Sequence, residues 1–251
     1  MGIAYGVTTN FQATKGIVQD GLVLNLDAGV KESYSSGSIW KDLKGSHDLT
    51  LYNGVTLSKD RGGSLTFDGG DEYAKNSNSS PDYGLLSYSL NFWFRATETF
   101  VSGNNYYIIE NRYSGVTSFF THSFRRSGTN SNIGIGGAIN RGTYYANNLP
   151  VTMLTSPNEL NWNNFCITYD NSSHDVKYYT NGSYNGVWQP GNFGSTAGNN
   201  NSQYVVGNYY NPPSSTYNTE GIFGNMQVYN RALTAAEVSR NFNVMRHRFG
   251  I

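Results

Sequence analysis

One cysteine in 251 residues, Cys166, excludes an intrachain disulfide and any cysteine-built zinc site. It lies in the strand-like run Asn164-Phe165-Cys166-Ile167-Thr168, where a buried and inert thiol is expected. Charge is scarce too: charged residues are 14% of the chain, and 17 basic side chains balance 17 acidic ones. The basic runs are no longer than Arg125-Arg126 and Arg246-His247-Arg248. Such a chain lacks the electrostatic footprint of a nucleic-acid binder. No run approaches the ~18 apolar residues of a membrane span. Met1 to Val7 has neither the basic start nor the apolar core of a secretory signal, so neither membrane insertion nor export is expected.

The chemistry of catalysis is also missing. Sandwich glycosidases hold two carboxylates across a sugar bond, which on one strand means acidic residues two or four apart. No two glutamates here are four apart, and Glu110 stands alone in Tyr107-Ile108-Ile109-Glu110-Asn111. There is no Gly-x-Ser-x-Gly elbow, and His47, His122, His174 and His247 are scattered without ligand spacing. Gly134-Ile135-Gly136-Gly137 is glycine-rich but opens no helix and matches no phosphate-cradling pattern. Asp68, Asp71 and Glu72 crowd a glycine turn, where they read either as turn residues or as a calcium-binding loop. A non-enzymatic protein is expected, with no cofactor apart from calcium at those three acids.

What is present is aromatic and strand-like. Hydrophobic residues are 37% of the chain and aromatic ones 15%, enough for a large core. Leu22, Leu24 and Leu26 alternate with Val23, Asn25 and Asp27. Tyr88, Leu90, Phe92 and Phe94 alternate with Ser89, Asn91, Trp93 and Arg95, and Phe165, Ile167 and Tyr169 repeat the period of two. Met226 and Val228 continue it near the end. Asn-Gly and Gly-Gly turns punctuate these runs, and Asn181-Gly182 between two strand patterns predicts a type I′ hairpin. One short helix is expected near the C-terminus, opened by a Thr234/Glu237 capping box with Leu233 and Val238 as staple. Residues 189–219 read as a long loop around one strand, Gln203 to Val206. Tyrosine occurs 20 times, often in polar runs such as Tyr144-Tyr145, Tyr209-Tyr210 and Tyr217, as residues that stack on sugars or anchor protein interfaces do. The pattern predicts an all-β antiparallel jelly-roll sandwich over residues 20–251. Residues 1–19 lack alternation and read as an extended arm, with Ile3, Tyr5, Val7 and Phe11 as isolated anchors.

An ordered set of short motifs carries a family resemblance. It runs from Gly21-Leu22-Val23-Leu24-Asn25-Leu26-Asp27 through Trp40-Lys41-Asp42-Leu43, Leu65-Thr66-Phe67-Asp68-Gly69 and Phe92-Trp93-Phe94-Arg95. It ends in Val228-Tyr229-Asn230-Arg231-Ala232-Leu233-Thr234 and Arg246-His247-Arg248-Phe249-Gly250. Over residues 17–251 this resembles the laminin-G/concanavalin A-like jelly rolls of tailed-phage virion proteins. More distantly it is similar to pentraxins, in Asn164 to Tyr169 and in Gly224 to Glu237. Pentraxins hold calcium in an acidic loop after the strand that matches Gln203 to Val206. Here Gly207-Asn208-Tyr209-Tyr210-Asn211 has no carboxylate, nor does any residue between Asp175 and Glu220.

The phage resemblance implies a virion structural protein, on the capsid surface as decoration or in the tail or fibre, assembled in the host cytoplasm. It implies other virion proteins as partners through the arm, a homo-oligomer, and a host glycan as a further ligand. The alternative is a secreted or cell-surface lectin module, for which the aromatics speak.

Overall fold

The computed structural model describes residues 16–45, 47–76, 87–113, 117–126, 131–139, 142–143, 151–189, 202–209 and 218–251. Among them two antiparallel sheets, of eight and nine strands, pack face to face. The first runs in the order β15 (Ser183–Trp188), β14 (Asp175–Thr180), β13 (Asn163–Asp170), β7 (Tyr88–Ala96), β17 (Glu220–Tyr229), β5 (Ser64–Asp68), β4 (Thr56–Ser58). β17 is long enough to carry β5 along Glu220 to Phe223 and β1 (Leu22–Asp27) along Asn225 to Tyr229. The second runs β11 (Gly142–Thr143), β10 (Asn132–Ile139), β9 (Thr117–Arg126), β8 (Asn105–Tyr113), β16 (Ser202–Val206), β6 (Tyr73–Lys75), β3 (Leu49–Tyr52), β2 (Ile39–Trp40), with β12 (Leu154–Thr155) paired to β10.

The alternating side chains fill the space between the sheets. Tyr88, Leu90, Phe92 and Phe94 of β7 and Phe165, Ile167 and Tyr169 of β13 face Phe120 and Phe124 of β9 and Tyr204 of β16 in one buried cluster. Ring centroids of Phe92 and Phe94 lie 6.0 and 5.0 Å from that of Phe124. Each buried side chain of this size contributes about 1.5–3 kcal/mol. The leucines of β1 divide. Leu24 and Leu26 enter this core, but a bulge between Leu22 and Leu24 turns Leu22 to the opposite face. The Asn181-Gly182 hairpin has φ of 51° and 74° at its two central residues, as a type I′ turn requires.

The opposite face of the first sheet is covered by helix α1 (Ala235–Phe249), whose fifteen residues make about four turns. Val238, Phe242, Met245 and Phe249 bury Trp93, Cys166 and Tyr229. Trp93 stacks on Phe249 at 4.2 Å and 10°. Gly224 is needed here, because a Cβ would lie 2.4 Å from the Phe249 ring. Both bonds of the Thr234/Glu237 capping box form, and Arg231 grips the Glu237 carboxylate at 2.9 and 2.5 Å. Gly250, at φ 79°, ends the helix.

The arm boundary at residue 19 is corrected by this packing. Ile17 and Val18 are buried among the helix residues, the Val18 N–H donates to Asn241 Oδ1 at 2.8 Å, and Arg240 Nε donates to the Gly16 carbonyl at 2.8 Å. They pair with no strand, so sheet periodicity could not reveal them. The anchors Ile3, Tyr5, Val7 and Phe11 lie outside the described residues. No described helix is long and apolar enough to cross a membrane.

Candidate functional site: a tyrosine pair beside an acidic turn

At one edge of the second sheet, Tyr52 ends β3 directly opposite Tyr73, which opens β6. Leu51 and Ala74 belong to the core, so strand alternation sets both tyrosines on the outer face. Their rings stack at 4.5 Å and 12°. Tyr73 is half-buried while Tyr52 is 38% exposed, so the pair presents a supported aromatic surface to solvent. Thr50 and Lys75 form the adjacent cross-strand pair. Asn53, at φ 59°, turns the chain away after Tyr52, and its Nδ2 donates to the Asp71 carbonyl at 2.9 Å. That bond ties the tyrosines to the turn that follows β5.

This turn, Asp68-Gly69-Gly70-Asp71-Glu72, carries the chain from the first sheet to the second and so lies on the rim of the sandwich. The Gly70 N–H is shared by Asp68 Oδ1 at 3.0 Å and Glu72 Oε2 at 3.1 Å. The two carboxyls thus converge on one donor and interact with each other. The bond from Glu72 lowers the pKa of Asp68, while burial, and then the contact with Asp68, raises that of Glu72. Glu220 stands opposite Asp68 in register, and burial followed by the charges of Glu98 and Asp68 pushes it up. Asn218 Nδ2 donates to the carbonyls of Gly69 and Gly70. The rim is therefore rich in oxygen acceptors beside an aromatic face.

The geometry gives Asp68 and Glu72 a turn-closing role, and Asp71 holds Asn53 through its main chain. Among the described residues no group of three or more His, Cys, Asp or Glu is placed to hold a metal ion. Glu110 is fully buried in β8, between Thr121 of β9 and Val205 of β16, and one strand separates it from β6. His122 meets the Tyr88 hydroxyl at 2.9 Å in the core, and burial pushes it down to about 3. His47 is buried edge-on to Tyr204, His174 lies between β13 and β14, and His247 is on α1, so the four imidazoles stay apart. Gly134 to Gly137 form part of β10. Cys166 is buried under the helix, which raises its thiol pKa.

The tyrosine pair was not legible in the sequence. Tyr52 and Tyr73 come from separate motifs 21 positions apart, and only the β3–β6 pairing joins them. Of the tyrosines in polar runs, Tyr209 is half-buried, edge-on to Tyr107 at 5.0 Å. Tyr144, Tyr145, Tyr210 and Tyr217 lie outside the described residues.

With this architecture in place, the comparisons with known proteins agree on its class. Residues 68–239 match the family model described as the concanavalin A-like lectin/glucanases superfamily, and the chain belongs to that superfamily. Among solved structures it is similar to Trypanosoma rangeli sialidase in complex with sialic acid, with TM-score 0.64 and 14% identity over 92% of this chain. The match spans 34% of the sialidase chain. It is also similar to domain 4 of a GH43 extracellular arabinanase from Geobacillus stearothermophilus in complex with arabinotriose. There the TM-score is 0.58 and the identity 16%, over 89% of this chain and 98% of that domain. The native heptameric SAP-like pentraxin from Limulus polyphemus matches with TM-score 0.58 and 15% identity, over 70% of this chain and 79% of its own. At these identities the likenesses carry the fold. No curated protein matches the chain.

Proposed function

We propose that this chain is a non-catalytic carbohydrate-binding module and that the Tyr52–Tyr73 stack is its sugar platform. The observation that carries the reading is the exposed Tyr52 ring, backed by Tyr73 at 4.5 Å and bordered by the Asp68–Glu72 turn. An aromatic face packs against the C–H side of a sugar ring, while carboxylates and carbonyls accept from its hydroxyls. The surrounding acids Asp68, Asp71, Glu72, Glu98 and Glu220 disfavour anionic sugars, so a neutral glycan is the expected ligand. The arabinanase domain, bound to arabinotriose, supports a module of this size acting as a sugar binder.

The non-catalytic reading has a geometric support. Glycosidase carboxyls stand at least about 5 Å apart to admit a sugar bond. Those of Asp68 and Glu72 instead converge on one donor, the Gly70 N–H, at 3.0 and 3.1 Å. The lectin reading is preferred to the virion one because the chain belongs to a lectin/glucanase superfamily and a solved domain similar to it along nearly its whole length is bound to arabinotriose.

Affinity electrophoresis through gels containing neutral or sialylated polysaccharides tests the reading. Retardation by at least one neutral polysaccharide is expected. Free migration through every gel contradicts it.

A further inference from the structure

We infer that a second cleft, built around Arg61 and Arg248, binds an oxyanion, either free or as the acidic group of a saccharide. The cleft has a volume of about 540 Å³ and is bounded by Gly29, Val30, Asp60, Arg61, His247 and Arg248. It lies where the last turn of α1 meets the turn joining β4 to β5, and it shares no residue with the tyrosine site.

Both guanidiniums pack directly over glycines. A Cβ on Gly29 would lie 2.3 Å from Arg248 Nη2, and one on Gly250 would lie 2.5 Å from Arg61 Nη1. Arg248 is fixed by three bonds, Nε to the Arg61 carbonyl at 2.7 Å, Nη1 to Asp27 Oδ1 at 2.6 Å and Nη2 to the Gly63 carbonyl at 2.6 Å. A guanidinium has five N–H groups, so Arg248 keeps donors beyond these three. Arg61 has a left-handed backbone, φ 52° and ψ 37°, which a side chain rarely adopts. Such conformations gather at functional sites, and this one sets a 43%-exposed guanidinium on the rim of the cleft.

Charge favours an anion. Asp60 borders the cleft, but its carboxylate is already engaged by Trp162 Nε1 at 3.0 Å, Arg61 at 3.6 Å and Arg95 at 3.7 Å. With Asp27 paired to Arg248, and Asp60 shared by Arg61 and Arg95, three guanidiniums meet two carboxylates. The helix end does not offset this, because the N–H groups of Gly250 and Ile251 cap the carbonyls of His247 and Arg246. Two forked guanidiniums with an apolar wall at Val30 suit a carboxylate, sulfate or phosphate group.

The test is calorimetric titration of the full chain at constant ionic strength with sodium sulfate, sodium phosphate, glucuronate and a sulfated disaccharide. At least one should bind saturably with Kd of about 1 mM or tighter, and Arg61→Gln should weaken it about tenfold or more. A disaccharide tighter than sulfate would assign the site to a saccharide group, and equal affinity to a free ion; either supports the oxyanion site. No saturable binding by any of the four, or Arg61→Gln binding like the unaltered chain, overturns it.

Discussion

Arg248, on the last turn of the helix, and Asp27, at the end of the first strand, form a buried ion pair across 221 positions of sequence. Arg248 Nη1 donates to Asp27 Oδ1 at 2.6 Å, and the side chains are 7% and 2% exposed. The pair fastens the helix to the sheet where Phe249 covers Trp93. Removing one partner leaves the other charge buried. Arg248→Met should therefore cost about 3–5 kcal/mol in urea unfolding, and adding Asp27→Asn should recover much of that loss. A single variant as stable as the unaltered chain would mean that the pair contributes nothing.

The helix start is predicted to be sensitive to acid. Arg231 holds the Glu237 carboxyl down to about 2, against 4.5 when free. A folded-state pKa below the unfolded one gives stability that is complete above the unfolded value and lost as pH falls toward the folded one. Because Glu237 is partly exposed, the loss should be about 1–2 kcal/mol between about pH 5 and pH 2. Melting curves of Glu237→Gln should show a shallower decline over that window than those of the unaltered chain.

Cys166 should report whether the helix stays closed. Its thiol is buried and its pKa is raised by that burial, so almost no thiolate forms. Under native conditions a thiol-specific reagent should label it only as fast as the protein opens, and in denaturant it should label rapidly. Fast native labelling would show that α1 leaves the sheet readily.

Residues 16–19 should matter for folding. A chain beginning at Asp20 loses buried Ile17 and Val18 and the Val18–Asn241 bond, and should be less stable by roughly 3–5 kcal/mol. A chain beginning at Gly16 should retain these contacts and be more stable than one beginning at Asp20.

Much of this fold was legible because strand burial writes a period of two into the chain. Tyr88 to Phe94 and Phe165 to Tyr169 lie on the core face where the alternation puts them, and Asn181-Gly182 and Thr234/Glu237 form the turn and cap that they spell. What stayed hidden depends on pairings between distant segments. Leu22 left the leucine face because a bulge shifts the register, and Ile17 and Val18 are buried by a helix more than 200 positions away. The Tyr52–Tyr73 stack and the Gly29 and Gly250 notches around Arg248 and Arg61 arise in the same way, since no local pattern announces which surface residues will meet.

The central claim, that Tyr52 is the platform for a sugar, is tested most directly by calorimetric titration of a polysaccharide-derived oligosaccharide that retards the chain, using the unaltered protein and Tyr52→Ala. Tyr52 is exposed, so its removal should leave the melting temperature nearly unchanged. The account predicts that affinity falls about tenfold or more, equivalent to about 1.4 kcal/mol of lost stacking. Equal affinity in the two proteins would contradict it.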